Sequence, residues 1–157
     1  MKRKTILSIF IMAIAVVTLG LTSCNKDFET QILGKWKVTK AASTAYIGGQ
    51  PMERNLLTAY KAFEFQEDGT CLMTTRAINP LTNTVLSDKD SIRHYKWNLV
   101  DGNRVHIVTP SGYELNYDIT LLNDTKLNLH GKTHDTIPGF PQFGKTDMEM
   151  DLNMIKQ

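Results

Sequence analysis

Beyond residue 33 the chain alternates apolar and polar residues with a period of two, the period that sends successive side chains to opposite faces of a strand. Tyr95, Trp97 and Leu99 are interleaved with Lys96 and Asn98. After Asp101-Gly102-Asn103 the pattern resumes with Arg104, Val105, His106 and Ile107. Folding about that turn sets Leu99 opposite Val105 and Trp97 opposite Ile107, with the polar residues on the other face. A second hairpin repeats the design. Tyr113, Leu115, Tyr117, Ile119 and Leu121 share a face, Asn123-Asp124-Thr125 turns the chain, and Leu127 and Leu129 return opposite Leu121 and Ile119. Thr109-Pro110-Ser111-Gly112 joins the two hairpins with the residues of a type I turn. Phe63 to Met73 forms a third hairpin, with Phe65 opposite Leu72 in a two-residue turn or opposite Cys71 in a bulged one. Met148, Met150, Leu152 and Met154 alternate with polar residues near the end of the chain.

Counting such segments gives eight strands, at about 35–42, 59–66, 70–77, 92–100, 103–109, 112–121, 126–130 and 147–155. Consecutive hairpins with one apolar face each predict an all-β fold, an eight-stranded antiparallel up-and-down barrel. Its interior set is Trp36, Phe63, Phe65, Tyr95, Trp97, Tyr113, Tyr117, Met148 and Met150. These large groups either fill the barrel or leave a cavity. Tight turns near 67–69, 101–103 and 123–125 make one closed end. Longer loops near 43–58, 78–91 and 131–146, with a short one at 110–111, make an open end suited to a ligand.

Composition changes the picture only at the N-terminus. With 41% hydrophobic and 22% charged residues the chain is globular, and 157 residues suit one folded domain. Lys2, Arg3 and Lys4 supply three of the 18 basic residues, whereas all 16 acids lie beyond Ser23. The remainder is therefore near neutral and lacks a basic stripe for nucleic acid. The basic start and the apolar run from Ile6 to Val17 read as a processed leader, with a retained membrane anchor as the alternative. The expected organisation is a signal peptide at 1–23, a lipidated tether at 24–31 and a barrel domain at 32–157. Leu21-Thr22-Ser23-Cys24 resembles a bacterial lipobox. That resemblance implies cleavage before Cys24 and acyl chains such as palmitate on it, which anchor firmly when two or more are present. Asn25-Lys26-Asp27-Phe28-Glu29 resembles the acidic surface-export tag of Bacteroidota-type lipoproteins. The implied location is the outer membrane, lipid-anchored and exposed at the cell surface; an ordinary charged tether on the inner leaflet is the alternative.

Gly34-Lys35-Trp36, after a short turn on the first strand, resembles the lipocalin signature. The segments Phe63-x-Phe65-x3-Gly69-Thr70 and Trp97-x3-Asp101-Gly102-Asn103 are similar to lipocalin-like domains of Bacteroidota-type lipoproteins. The resemblance covers about residues 32–155 and implies a barrel whose Trp36 plugs the closed end. Two departures stand out: no helix lies between the last strands, and no arginine is clearly placed to stack on Trp36.

Catalytic motifs are missing from the sequence. It holds no Gly-x-Ser-x-Gly, phosphate loop or His-Glu-x-x-His. No enzyme activity, metal or cofactor is expected. With Cys24 lipidated, Cys71 has no partner for a disulfide. His130, His134 and Asp135 fall in one predicted loop and could place two imidazoles and a carboxylate together; a metal site needs three or four converging ligands, and solvated loop residues are the expectation. Phe140 and Phe143, flanking Pro141-Gln142, form with Tyr46 and Ile47 a candidate rim for a ligand or partner; packing as a lid on the core is the alternative. Asp90-Ser91-Ile92 and Asp135-Thr136-Ile137 resemble bacterial O-glycosylation sites at Ser91 and Thr136. The expected function is a non-catalytic envelope lipoprotein binding a small apolar ligand. The alternative is an accessory subunit that docks a protein partner of an outer-membrane complex through its loops.

Overall fold

The structure is a computed structural model that describes residues 26–79, 82–136 and 144–157. A short helix, α1 (Lys26–Gln31), leads into β1 (Gly34–Ile47). The remaining strands are β2 (Gln50–Asn55), β3 (Tyr60–Phe65), β4 (Thr70–Ile78), β5 (Val85–Val100), β6 (Arg104–Val108), β7 (Glu114–Leu122), β8 (Lys126–Thr136) and β9 (Lys145–Lys156). Every pairing is antiparallel, and β1 pairs with β9 to close the sheet. The barrel is thus all-β, antiparallel and up-and-down, with eight strands around the ring. The additional strand β2 folds back on the outer half of β1, where Ala45 lies opposite Met52.

Three segments expected as loops are instead strand extensions. Residues 43–58 hold the β1–β2 hairpin. The β4–β5 pairing continues to Ile78 opposite Val85, and the β8–β9 pairing to Thr136 opposite Lys145. The outer part of β5 and residues 132–134 of β8 are exposed on successive positions, so they carry no apolar alternation to signal a strand. The two ends of the barrel still differ as expected, with the tight turns together at one end.

Those turns follow their residue chemistry. Asp101 and Gly102 both adopt positive φ, which glycine tolerates freely and aspartate better than most residues. Asn123 Oδ1 accepts the amide N–H groups of Thr125 and Lys126 at 3.0 and 2.9 Å, an Asx turn. Gly112 donates its N–H to the Thr109 carbonyl at 2.9 Å, closing the turn around Pro110. In the β3–β4 hairpin the bulged alternative is realised, with Phe65 opposite Cys71.

Trp97 lies opposite Ile107 and Leu99 opposite Val105, as the alternation predicts. The β7–β8 register agrees only at its centre. Ile119 faces Leu129, but a bulge between Ile119 and Leu121 puts Leu127 opposite Leu122 and leaves Leu121 exposed. The extra residue, Thr120, is absorbed on β7 alone, which slips the pairing by one.

The core fills the closed half. Ile32, Trp36, Phe63, Phe65, Ile107 and Leu152 are completely buried there. Trp36 donates its indole N–H to the Ile32 carbonyl at 2.7 Å, tying α1 to the barrel floor. The cation above its ring is Lys156, with Nζ 5.0 Å from the centroid, and the same ammonium donates to the Gln31 carbonyl at 3.1 Å. Trp97 meets Phe65 edge-on at 5.0 Å and donates its indole N–H to the Gln66 carbonyl at 3.0 Å. Cys71 is buried among these rings, and burial pushes its thiol up to about 12.

Candidate functional site

Above this packed floor the side chains of the described residues no longer fill the barrel. A cavity of about 440 Å³ opens at the end opposite the tight turns. Tyr117 and Leu115 of β7, Met148 and Met150 of β9, and Tyr60 of β3 line it, together with Ser43 of β1. Other depressions of similar volume lie on the outside, among residues such as Lys37, Lys61 and Asp90. The mouth cavity differs in being floored by interior side chains of the barrel.

Its position follows from the sheet. β7 and β8 pair from Leu122 opposite Leu127 up to Tyr117 opposite Gly131, and there the pairing stops. β8 continues upward with β9 rather than with β7. The cavity is accordingly lined by residues from both faces of these strands, Glu114 and Asn116 beside Leu115, and Lys132 beside Gly131 and Thr133. A hollow touched by both faces of two adjacent strands opens through the wall between them. The Tyr113 hydroxyl, 3.5 Å from Thr133 Oγ1, spans that opening.

Tyr117 forms the floor. It is 3% exposed, and its hydroxyl donates to Met150 Sδ at 3.5 Å, a weak acceptor. Burial raises its pKa far above the ordinary phenol value, so the hydroxyl stays a neutral donor. Gly131 makes room for the ring. A Cβ on Gly131 would meet Tyr117 Cδ1 and Cε1 at 2.7 and 2.8 Å.

Polar side chains of β8 and β9 are arranged in pairs across the two strands. Lys132 and Glu149 stand opposite each other at 3.0 Å, between His134–Asp147 and His130–Asp151, both at 2.9 Å. The hydrogen bond from Lys132 holds the Glu149 carboxyl below its usual range. His106 lies 3.3 Å from Glu114. His130 and His134 therefore belong to strand β8, not to a loop. Among the described residues no three His, Cys, Asp or Glu side chains gather as a metal site.

The anticipated site residues separate by depth. Trp36, Phe63, Phe65 and Tyr117 are buried in the barrel, while Tyr95, Trp97 and Met150 are half-buried against its core. Met148 lines the cavity. Tyr113, expected inside, is 42% exposed at the mouth, just before β7 and beyond the point where β7 pairs with β8. Tyr46, expected at the rim, points outward, and its hydroxyl donates to Glu149 at 3.3 Å. Ile47 ends β1 and is half-buried. Phe140 and Phe143 lie outside the described residues, as do residues 1–23 and Cys24. Ser91 is exposed on β5; Thr136 ends β8. Sequence reasoning missed Gly131, Tyr60 and Lys132. A lone glycine in an otherwise alternating strand was the available signal for Gly131.

No family model matches the chain, and no curated protein does. Among solved structures it is similar to a deswapped triple mutant of bovine odorant-binding protein, at 16% identity over 81% of this chain and 74% of that one, with TM-score 0.47. It is also similar to the bovine lipocalin allergen Bos d 2, at 15% identity over 79% and 73%, with TM-score 0.42. A redesigned β-barrel gives 15% identity over 86% and 97%, with TM-score 0.41.

Proposed function

We propose that this chain is a non-catalytic binding protein whose barrel takes one small, partly apolar ligand at its open end. The observation that carries the reading is the cavity of about 440 Å³ lined by Tyr117, Leu115, Met148 and Met150. Its volume lies within the roughly 300–1,000 Å³ of small-molecule sites, and a few polar groups converge on apolar walls. Titration with N-phenyl-1-naphthylamine tests it: the dye should brighten saturably with the native chain and not with Met150→Trp, which fills the cavity. Equal binding by both proteins would place the dye elsewhere and refute the reading.

The finer proposal is lipocalin-like ligand capture by an outer-membrane lipoprotein anchored through Cys24 and exposed at the cell surface. α1 begins at Lys26 and joins the closed end through Ile32. Acyl chains on Cys24 would hold that end to the membrane and turn the mouth toward solvent. Mass spectrometry of the mature protein should find Cys24 at its N-terminus carrying acyl groups; a species retaining Met1–Ser23 would refute this. Phe140 and Phe143 are proposed to cover the mouth, and Ser91 and Thr136 to accept O-glycans. Exchanging both phenylalanines for serine should change dye binding without a large fall in melting temperature.

One observation favours a second reading, docking of a protein partner. The outer part of β5 presents Val85, Leu86 and Ile92 to solvent, with Leu86 64% and Ile92 62% exposed. Arg76 clamps this ribbon through Asp90 at 2.7 Å. If a partner sits there, Leu86→Ser/Ile92→Ser should abolish its recovery from detergent extracts and leave dye binding unchanged.

A further inference from the structure

Building on the ligand reading, we infer that Tyr117 selects the ligand's chemistry: the cavity takes an apolar molecule bearing an uncharged oxygen acceptor, of the ketone, aldehyde or alcohol class. The hydroxyl of Tyr117 is buried at the cavity floor, and the acceptor it reaches is the Met150 thioether at 3.5 Å. Sulfur is a poor acceptor, and a buried O–H that is weakly paired leaves part of its desolvation cost unrecovered. Met150 lines the same cavity, so a ligand oxygen that displaces the sulfur gains a proper hydrogen bond at the deepest point of the site.

The surroundings argue against a charged head group. Lys132 is the cation lining the cavity, and it is bound to Glu149 at 3.0 Å. Three carboxylates, Glu114, Asp135 and Glu149, edge the mouth against it. An anionic head would meet their repulsion and would have to leave water at a floor whose nearest donor is neutral. A cationic head would find Glu149 already bound to Lys132 and Glu114 beside His106, and at the floor only the neutral Tyr117 oxygen and the weakly accepting Met150 thioether. A neutral carbonyl or hydroxyl carries no such cost.

The test is displacement of N-phenyl-1-naphthylamine from the native full chain by 2-decanone, decanoate and decylamine at neutral pH. 2-Decanone should displace the dye at concentrations at least about tenfold lower than either charged analogue. Tyr117→Phe should weaken 2-decanone about five- to tenfold more than it weakens the dye, the size of one hydrogen bond. Met150→Leu, which removes the sulfur and keeps the donor, should bind 2-decanone at least as well as the native chain. A charged analogue that matches 2-decanone, or a Tyr117→Phe loss equal for ketone and dye, overturns the assignment while the ligand reading stands. Failure of the dye to bind the native chain overturns both.

Discussion

The Tyr117 ring rests directly on the backbone of Gly131, so closely that a Cβ there would lie 2.7 Å from a ring carbon. The same pair is the last rung between β7 and β8 before the strands part. One contact therefore sets both the floor of the cavity and the start of its side opening. Gly131→Ala should push the ring into the cavity and destabilise the protein by about 1–3 kcal/mol, as overpacking generally does. Thermal denaturation with dye titration checks this; an alanine variant with native stability and native affinity would show that the contact is not confining.

The opening between β7 and β8 should carry ligand traffic. Thr133 faces Tyr113 across it and is exposed. Thr133→Trp should slow dye association in stopped-flow mixing about tenfold or more and change the equilibrium affinity less. Unchanged association would mean that ligands pass over the top of the barrel instead.

The closed end should bear most of the stability. Trp97→Ala loses the contact with Phe65 and the hydrogen bond to Gln66, and should cost about 3–5 kcal/mol. Lys96, the exposed neighbour on the opposite face, should change stability by less than about 0.5 kcal/mol when replaced by alanine. Urea denaturation of both variants compares the faces directly, and equal losses would contradict the assignment.

Acid should weaken the outer ladder in a defined direction. Glu149 is held below its ordinary value of 4.5 by its hydrogen bond from Lys132. A carboxyl depressed on folding stabilises the folded state above its unfolded value, and that contribution disappears as pH falls through the folded one. The melting-temperature advantage of the native chain over Glu149→Gln should be present at neutral pH and shrink on acidification below 4.5. An advantage that grows in acid would reverse the sign.

The hairpin at Asp101-Gly102 was legible because its turn residues and its single apolar face specify the same register. Leu121 was misplaced because the bulge at Thr120 leaves the alternation along β7 intact while shifting its partner. The upper parts of β5 and β8 escaped because residues wetted on both sides have no reason to alternate. Tyr46 illustrates the same limit: its partner Glu149 lies 103 residues away, and only the closure of β1 on β9 brings them together. The cavity depends on where strands part, which is a property of the assembled sheet. Lys156 reaches the Trp36 ring because β9 ends beside the start of β1, with Lys156 opposite Trp36, a pairing of residues 120 apart that alternation alone does not reveal.

Methyl NMR of methionine-labelled protein during titration with 2-decanone tests the central claim most directly. Met148 and Met150 line the cavity, whereas Met73 and Met154 are buried in the filled core and Met52 lies on β2. Saturable shifts are expected at Met148 and Met150, with little change at Met52, Met73 and Met154. Shifts spread evenly over these five of the seven methionines, or none at Met148 and Met150, would contradict a ligand site at the open end of the barrel.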